Sequence, residues 1–538
     1  MRAETSGDDQ KSGSPAKVPS GRSPVGPSRV HVIVRNVGAA ALAALLAVPP
    51  AGAQTADGAP QSAIPWLSDS LARPRTADPV DEPAATPLTE TEVTVLPLGT
   101  TRRDAVGLRP ASATGLPRDL FAGSDPARLA DLIARQPADA LPAMQTLVQT
   151  LLTAEFDPPR AATDPDMLFF ARIDALLRLG ALEQAQALLE QAGATDSRAF
   201  RRWWDASLLT GFDTRACDAM TANPGIAPTL PARIFCLSRG GDWPAAALSL
   251  ETGRAIGAIT EAEDRLLAHF LDPELFEGEP PPIPPRPMTP LAFRLLDGIG
   301  ETPATRDLPL AFAVADLRST VGWKAQIEAA ERLTRVGAIP FGRLLSLYTE
   351  RRPSASGGVW ERAAAIQRLD TALLSGEAQR VADALPAAVA RMREVGLVVP
   401  FANAYGPRLA RLDLPAAAAA MAIRMGLLSW DYGTVARLAD PASPLDRFAV
   451  AIARGDVAAP PAGLVPGAVA DGLTGAPPAR LADLARGDRR GEALLEAALL
   501  LADGTESDPG GIADALALLI AAGLEDTARR TALQLLLS

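Results

Sequence analysis

Between residues 54 and 538 there is a single histidine, His269, and it lies in Leu266-Leu267-Ala268-His269-Phe270-Leu271 among apolar neighbours. An imidazole in such a run reads as a packed helical residue rather than a catalytic base, because general-base work needs a partner that orients the ring. Metal sites need several His, Cys or carboxylate ligands at fitting spacings, and the sequence offers no such cluster. It also carries no G-x-S-x-G elbow, no phosphate-cradling loop and no G-x-G-x-x-G turn. Nucleotide chemistry and zinc hydrolysis are therefore disfavoured, and no cofactor or metal is expected.

Two cysteines, Cys217 and Cys236, are separated by eighteen residues that include Asn223-Pro224-Gly225 and Pro228. An even count in an exported chain points to a disulfide stapling two helices across their connecting turn. A reactive or metal-binding pair would need C-x-x-C spacing or a nearby histidine, and neither is present.

One carboxylate stands out. Leu344–Trp360 (LLSLYTERRPSASGGVW) reads as an apolar helix ending at Glu350, then a polar turn, then Trp360. Glu350, Pro353, Ser356 and Gly357 resemble the arrangement of soluble lytic transglycosylases, in which a catalytic Glu ends a helix before a Pro/Ser/Gly loop. That resemblance implies Glu350 as general acid on a cell-wall polymer. The chain departs from the pattern in loop length and lacks the Gly-Leu-Met-Gln run that follows it in that family. Arg351 and Arg352 would also oppose the raised proton affinity that a general acid needs. The plainer reading is a helix end with a basic cap and a surface loop.

The chain carries an export signal. Arg35 precedes the uncharged run Val37–Val48, Pro49 and Pro50 break it, and Ala51-Gly52-Ala53 supplies the small residues a signal peptidase inspects. Cleavage is expected after Ala53. The apolar run is well short of the ~20 residues of a spanning helix. Residues 1–33 are rich in Ser, Pro and Gly, and a start near Val34 would leave a more ordinary signal. No cysteine follows the cleavage site, and Ala416–Trp430 is apolar but short and interrupted by Arg424. No membrane span is expected in the mature chain.

Removing residues 1–53 takes six basic and three acidic residues, leaving 46 basic against 60 acidic and a net charge of −14. Such a surface disfavours nucleic acid and anionic membranes, which need concentrated positive charge. Lys324 is the only lysine after residue 53. That skew, with abundant Ala, Gly and Pro, looks like a GC-rich bacterial genome. Aromatics make up only 4% of the chain while Ala and Leu abound, so helices are favoured over strands.

Residues 54–115 are rich in Pro, Thr, Ala and Asp and read as a disordered tether. It holds the apolar island Ile64-Pro65-Trp66-Leu67 and a single strand candidate, Glu90–Leu98. From Ser124-Asp125-Pro126, a helix start, apolar residues recur at helical spacing: Leu129, Leu132 and Ile133, then Phe169, Phe170, Ile173, Leu176 and Leu177 up to Gly180. Gly180 is followed five and nine residues later by Ala185 and Leu189. Gly241 has Ala246 and Leu250 at those spacings, and Gly523 has Ala528 and Ala532. These helix–Gly–helix units resemble the hairpins of tetratricopeptide-like repeat proteins, which implies an irregular α-solenoid; an ordinary helical bundle is the alternative. The Pro-rich segment 279–290 and a Pro/Gly/Ala-rich break at 458–478 divide the helical region into 116–278, 291–457 and 479–538. Within the last part, Gly491–Leu501, Ile512–Ala522 and Asp526–Leu537 are apolar on several faces and must pack against something.

The expected protein is all-α, periplasmic or secreted, and a non-enzymatic scaffold that presents a groove to another envelope protein. The alternative is a cell-wall-active enzyme working through Glu350. Trp243, Trp323, Trp360 and Trp430 are candidates for lining such a groove, although scattered aromatics more often belong to a core.

Overall fold

The computed structural model describes residues 102–161, 164–193 and 196–538, all within one compact unit. Ala51-Gly52-Ala53, Ile64–Leu67 and the strand candidate Glu90–Leu98 lie outside the described residues. The fold is mainly helical, as the Ala- and Leu-rich composition predicts. Among the described residues the only sheet is a parallel pairing of Arg109–Pro110 with Ala154–Glu155, at neither of which a strand was expected. Gly107 sits so close to the Ala154–Glu155 backbone that a Cβ there would lie 2.2 Å from the Glu155 nitrogen.

Residues 102–115 correct the expected tether: they are folded onto the helical body. Val106 and Ala111 are buried, and Arg103 pairs with Asp166 at 3.2 Å and Asp196 at 2.6 Å. Asp104 accepts the Phe169 N–H at 2.7 Å, which supplies an acceptor at the start of the Met167–Arg178 helix. Composition missed this because the contacts are made by single residues, polar and apolar, in a context poor in apolar periodicity.

The helix punctuation follows the sequence. Asp125 caps the Pro126–Ala134 helix through the Ala127 and Arg128 N–H groups. At Gly180 the helix Met167–Arg178 ends and Leu182–Ala192 begins. Gly180 has φ +73°, and the Ala181 N–H reaches back to the Leu176 carbonyl at 2.9 Å. That is the six-to-one bond of a Schellman turn. The same bond recurs after Gly241 and Gly523, and also after Gly211, Gly257, Gly300, Gly337, Gly396 and Gly455. Ala185, Leu189, Ala246, Ala528 and Ala532 are all buried, so small side chains do lie between paired helices.

Packing then carries the chain back to its beginning. The Pro142–Thr153 helix touches Met167–Arg178, which touches the 3-10 stretch Leu310–Leu317. From there contacts run through Trp323–Arg335, Phe341–Glu350, Val398–Leu409, Ala416–Leu427, Tyr432–Leu438 and Pro444–Arg454 to Glu525–Leu537. Helix 525–537 lies against helix 142–153 and closes the circuit. Polar bonds lock the closure. Gln534 accepts the Ala143 N–H at 2.9 Å, Gln136 donates to the Leu495 carbonyl at 3.0 Å, and Arg128 reaches Glu496 at 2.9 Å. The apolar C-terminal helices, observed as Arg490–Leu500, Pro509–Ala521 and Glu525–Leu537, thus find their partners partly in the N-terminal helices.

A helix, Leu464–Thr474, occupies the middle of the 458–478 segment expected to be a break. Pro466 falls in its first turn, where proline is tolerated. The helix packs on Pro509–Ala521 through Gly472, where a Cβ would lie 2.7 Å from the Ala513 carbonyl oxygen. Overpacking costs about 1–3 kcal/mol and exceeds the roughly 1 kcal/mol that Ala gains over Gly in a helix. Gly472→Ala is therefore expected to lower the urea midpoint. Gly467→Ala in the same helix, with nothing within 4 Å, is expected to leave it unchanged or raise it.

Burial gives the 102–105 turn a pH response. Asp104 is 1% exposed, and desolvation pushes its carboxyl up to about 6 against the counteracting Phe169 N–H and Arg102. The Arg172 guanidinium donates to the main-chain oxygen of Asp104 at 3.1 Å rather than to its carboxylate. The unfolded chain ionises near 3.8, so between 3.8 and about 6 the folded state holds the extra proton. Stability therefore falls as pH rises through that window, by up to about 3 kcal/mol from this group. Asp205, also pushed up to about 6 by burial, acts in the same direction. Asp104→Asn isolates the first contribution: relative to the parent it is expected to gain stability between pH 4 and 6.5 in urea titrations. A constant difference across that range would refute the assignment.

Candidate functional site

The residues singled out by sequence are scattered. His269 is buried and stacks on Phe276 with ring centroids 4.1 Å apart. Cys217 and Cys236 form a disulfide with Cα atoms 5.0 Å apart, joining the Asp213–Ala222 and Leu230–Arg239 helices. Glu350 ends the Phe341–Glu350 helix, as expected, with its side chain 43% exposed and its carboxylate held by Arg351 at 2.8 Å. A solvated carboxylate fixed by a neighbouring guanidinium lacks the dry surroundings that a general acid requires. Among the described residues no group of three or more His, Cys, Asp or Glu is placed to hold a metal ion.

The tryptophans divide into three cases. Trp323 and Trp360 pack together at 5.1 Å and line a surface cavity with Lys324, Arg351 and Arg352, and the Trp323 indole N–H donates to the Leu347 carbonyl at 2.8 Å. Trp243 is half exposed beside Phe270. Trp430 is also half exposed, but it lines a cavity.

That cavity, about 320 Å³, lies where five elements of the helical circuit converge. Gln145 and Gln149 come from helix 142–153. The turn 334–341 contributes Thr334, Ile339 and Phe341, and the start of helix 398–409 contributes Val399 and Asn403. Leu428, Ser429 and Trp430 come from the turn between helices 416–427 and 432–438, and Arg530 and Gln534 from helix 525–537. Gly337 keeps the 334–341 turn close to helix 142–153: its φ is +72°, and a Cβ would lie 2.8 Å from the Gln149 amide nitrogen. Gln145 and Gln149 donate to the carbonyls of Arg335 and Val336 at 3.0 and 3.1 Å. Asn403 accepts the Trp430 backbone N–H at 2.9 Å and so fixes the turn that carries the indole.

Arg530 is the one charged side chain in the lining. Its guanidinium lies over the Trp430 ring, 4.2 Å from the centroid, a cation–π contact. It also pairs with Asp526, which accepts the Tyr432 hydroxyl at 2.8 Å. Burial and that carboxylate push the Tyr432 phenol up to about 12. The result is an amide-lined cavity with one cationic side chain and several apolar ones.

Sequence reasoning named Trp430 and missed the rest. Gln145, Gln149, Asn403, Gln534 and Arg530 come from helices up to about four hundred positions apart, and no local spacing marks them. Comparison of the chain with protein-family models, with curated proteins and with solved structures finds no match in any of the three.

Proposed function

We propose that this protein is an exported, periplasmic or secreted, non-enzymatic scaffold. Its helical hairpins, of the tetratricopeptide-like α-solenoid kind, present a binding position to another protein of the cell envelope. The cavity at Trp430 carries this reading. Its lining holds amide, hydroxyl and guanidinium groups above apolar side chains, the composition of a binding site with few orienting polar groups. The disulfide between Cys217 and Cys236 supports an oxidising compartment.

The test places a photo-crosslinking amino acid at position 430 and, as a control, at exposed Leu248 in the producing cell. A discrete adduct with one envelope protein from position 430 alone supports the scaffold. Loss of the adduct from both positions, or release of soluble peptidoglycan fragments by the purified protein that is abolished by Glu350→Gln, would overturn it. Fusing residues 1–60 to alkaline phosphatase tests export separately: an active fusion is expected.

A further inference from the structure

We infer that the Trp430 cavity binds an apolar amino-acid unit ending in a free carboxylate, as a peptide C-terminus or an N-acylated amino acid presents it. The inference deepens the scaffold reading and rests on it, by naming the chemistry of the partner.

Arg530 is committed to Asp526 through Nη2, and its other guanidinium nitrogens, the enclosed Nε among them, have no hydrogen-bond partner among the described residues. No carboxylate lines the cavity to take the free terminal N–H groups. The guanidinium is seated 4.2 Å from the Trp430 ring centroid, and a planar guanidinium edge suits a carboxylate better than any neutral acceptor. Gln534 and Asn403 each spend their amide oxygen on a backbone N–H, at Ala143 and Trp430. Neither amide nitrogen has a bonded acceptor among the described residues, so both are free donors. Gln145 and Gln149 are the converse, because their nitrogens are spent on backbone carbonyls and their oxygens are not. The Thr334 hydroxyl is buried with no partner among the described residues. Donors therefore gather on helix 525–537 and Asn403, and acceptors on helix 142–153.

A ligand matching this pattern has a carboxylate at one end and an amide N–H a short distance away. Ile339, Phe341, Val399 and Leu428 provide the apolar wall for a side chain between them. A volume of about 320 Å³ is at the small end of ligand pockets, enough for a terminal residue or two and not for a folded domain. Capture of a chain end in this way is an established mode of peptide recognition.

Calorimetry on the mature protein tests this with defined probes: N-acetyl-leucine, N-acetyl-leucinamide, and the tripeptide Ala-Ala-Leu with a free or amidated C-terminus. Saturable one-to-one binding of a free acid, at least tenfold tighter than its amide, is expected. If only the tripeptide binds, a peptide terminus is the source of the carboxylate; if N-acetyl-leucine binds as well, a free acylated amino acid suffices. Arg530→Gln should remove the preference for the acid. Thr334→Val, which breaks no existing bond, should weaken the acid severalfold while leaving the unfolding temperature unchanged or raised. Equal affinity for acid and amide, or no saturable binding of any of the four probes, overturns the inference whether or not Arg530→Gln folds. The two readings fail separately. An adduct from position 430 without carboxylate binding sinks this inference alone, and carboxylate binding without an adduct sinks the scaffold alone.

Discussion

Replacing Arg172 with Met is expected to destabilise the protein by about 3–5 kcal/mol, the usual loss when one member of a buried, hydrogen-bonded charge site is removed. Arg172 is 2% exposed and bonds three main-chain oxygens: Leu152 at 2.8 Å, Asp104 at 3.1 Å and Ala154 at 3.0 Å. Those oxygens belong to the end of helix 142–153, the short strand that follows it, and the turn that enters the fold. One side chain therefore ties three segments together. Met fills much of the same volume but donates nothing, and each buried carbonyl left without a donor costs about 1–3 kcal/mol. Desolvation lowers the Arg172 pKa to about 10, so the group stays charged at neutral pH and its loss also strips Asp104 of a nearby cation.

Two further variants separate these contributions. Arg172→Lys keeps the charge but cannot span three carbonyls with a planar fork, so it should recover only a minor part of the loss. Combining Arg172→Met with Asp104→Asn should cost less than the sum of the single changes, since the neutral amide no longer lacks a counter-charge. Urea denaturation at pH 7 measures all four proteins. A loss below 1 kcal/mol for Arg172→Met would show that water reaches these carbonyls.

Whatever depended on one stretch of chain could be read from the sequence. The Asp125 cap, the apolar stripe from Phe169 to Leu176 and the turns at Gly180, Gly241 and Gly523 all stand as expected. Each is set by a few consecutive residues and by local backbone conformation. Another turn of the same kind, at Gly396, escaped notice because Phe401 and Tyr405 stand at the spacings where the first three carry Ala or Leu. The segment 102–115 was misjudged for a different reason. Its order comes from Arg103, Asp104 and Val106 meeting side chains and backbone some 50 to 90 positions away, and composition averages over such single contacts.

The candidate site was the least legible part. Glu350 and His269 attracted attention because their types carry chemistry, yet one is solvated and the other stacked in the core. The amides that line the cavity are chemically plain, and they converge only because helix 525–537 returns to helix 142–153. That return depends on which apolar faces match across the whole chain. Trp430 could be suspected from its type, but the sequence gives no sign that Arg530 would lie over its ring.

The disulfide offers the second large effect. Reducing the Cys217–Cys236 bond, or replacing both cysteines with Ala, is expected to cost about 3 kcal/mol, the chain-entropy value for a loop of this length. The two residues are 19 apart and sit on antiparallel helices joined through the turn Pro224–Ile226. Both sulfurs are buried, so native geometry needs no adjustment to accept Ala beyond small voids. Helix 213–222 is otherwise anchored by buried Ala216 and Met220 and by a few ion pairs, among them Arg215 with Glu190 at 3.2 Å. Asp213 pairs with Arg239 at 3.1 Å and Arg294 at 3.7 Å, while Phe212 just before it is half exposed. Hydrogen exchange should therefore show the loss concentrated in residues 213–239, with helices 142–153 and 525–537 little affected. Equal urea midpoints for the reduced parent and the double-Ala variant would assign the effect to the bond itself. If neither differs from the oxidised parent, the Asp213 ion pairs and the Pro224 turn already hold the hairpin, and the bond adds only resistance to opening. Cys217→Ala alone should be the worst of the set during export, because it leaves Cys236 unpaired in an oxidising compartment.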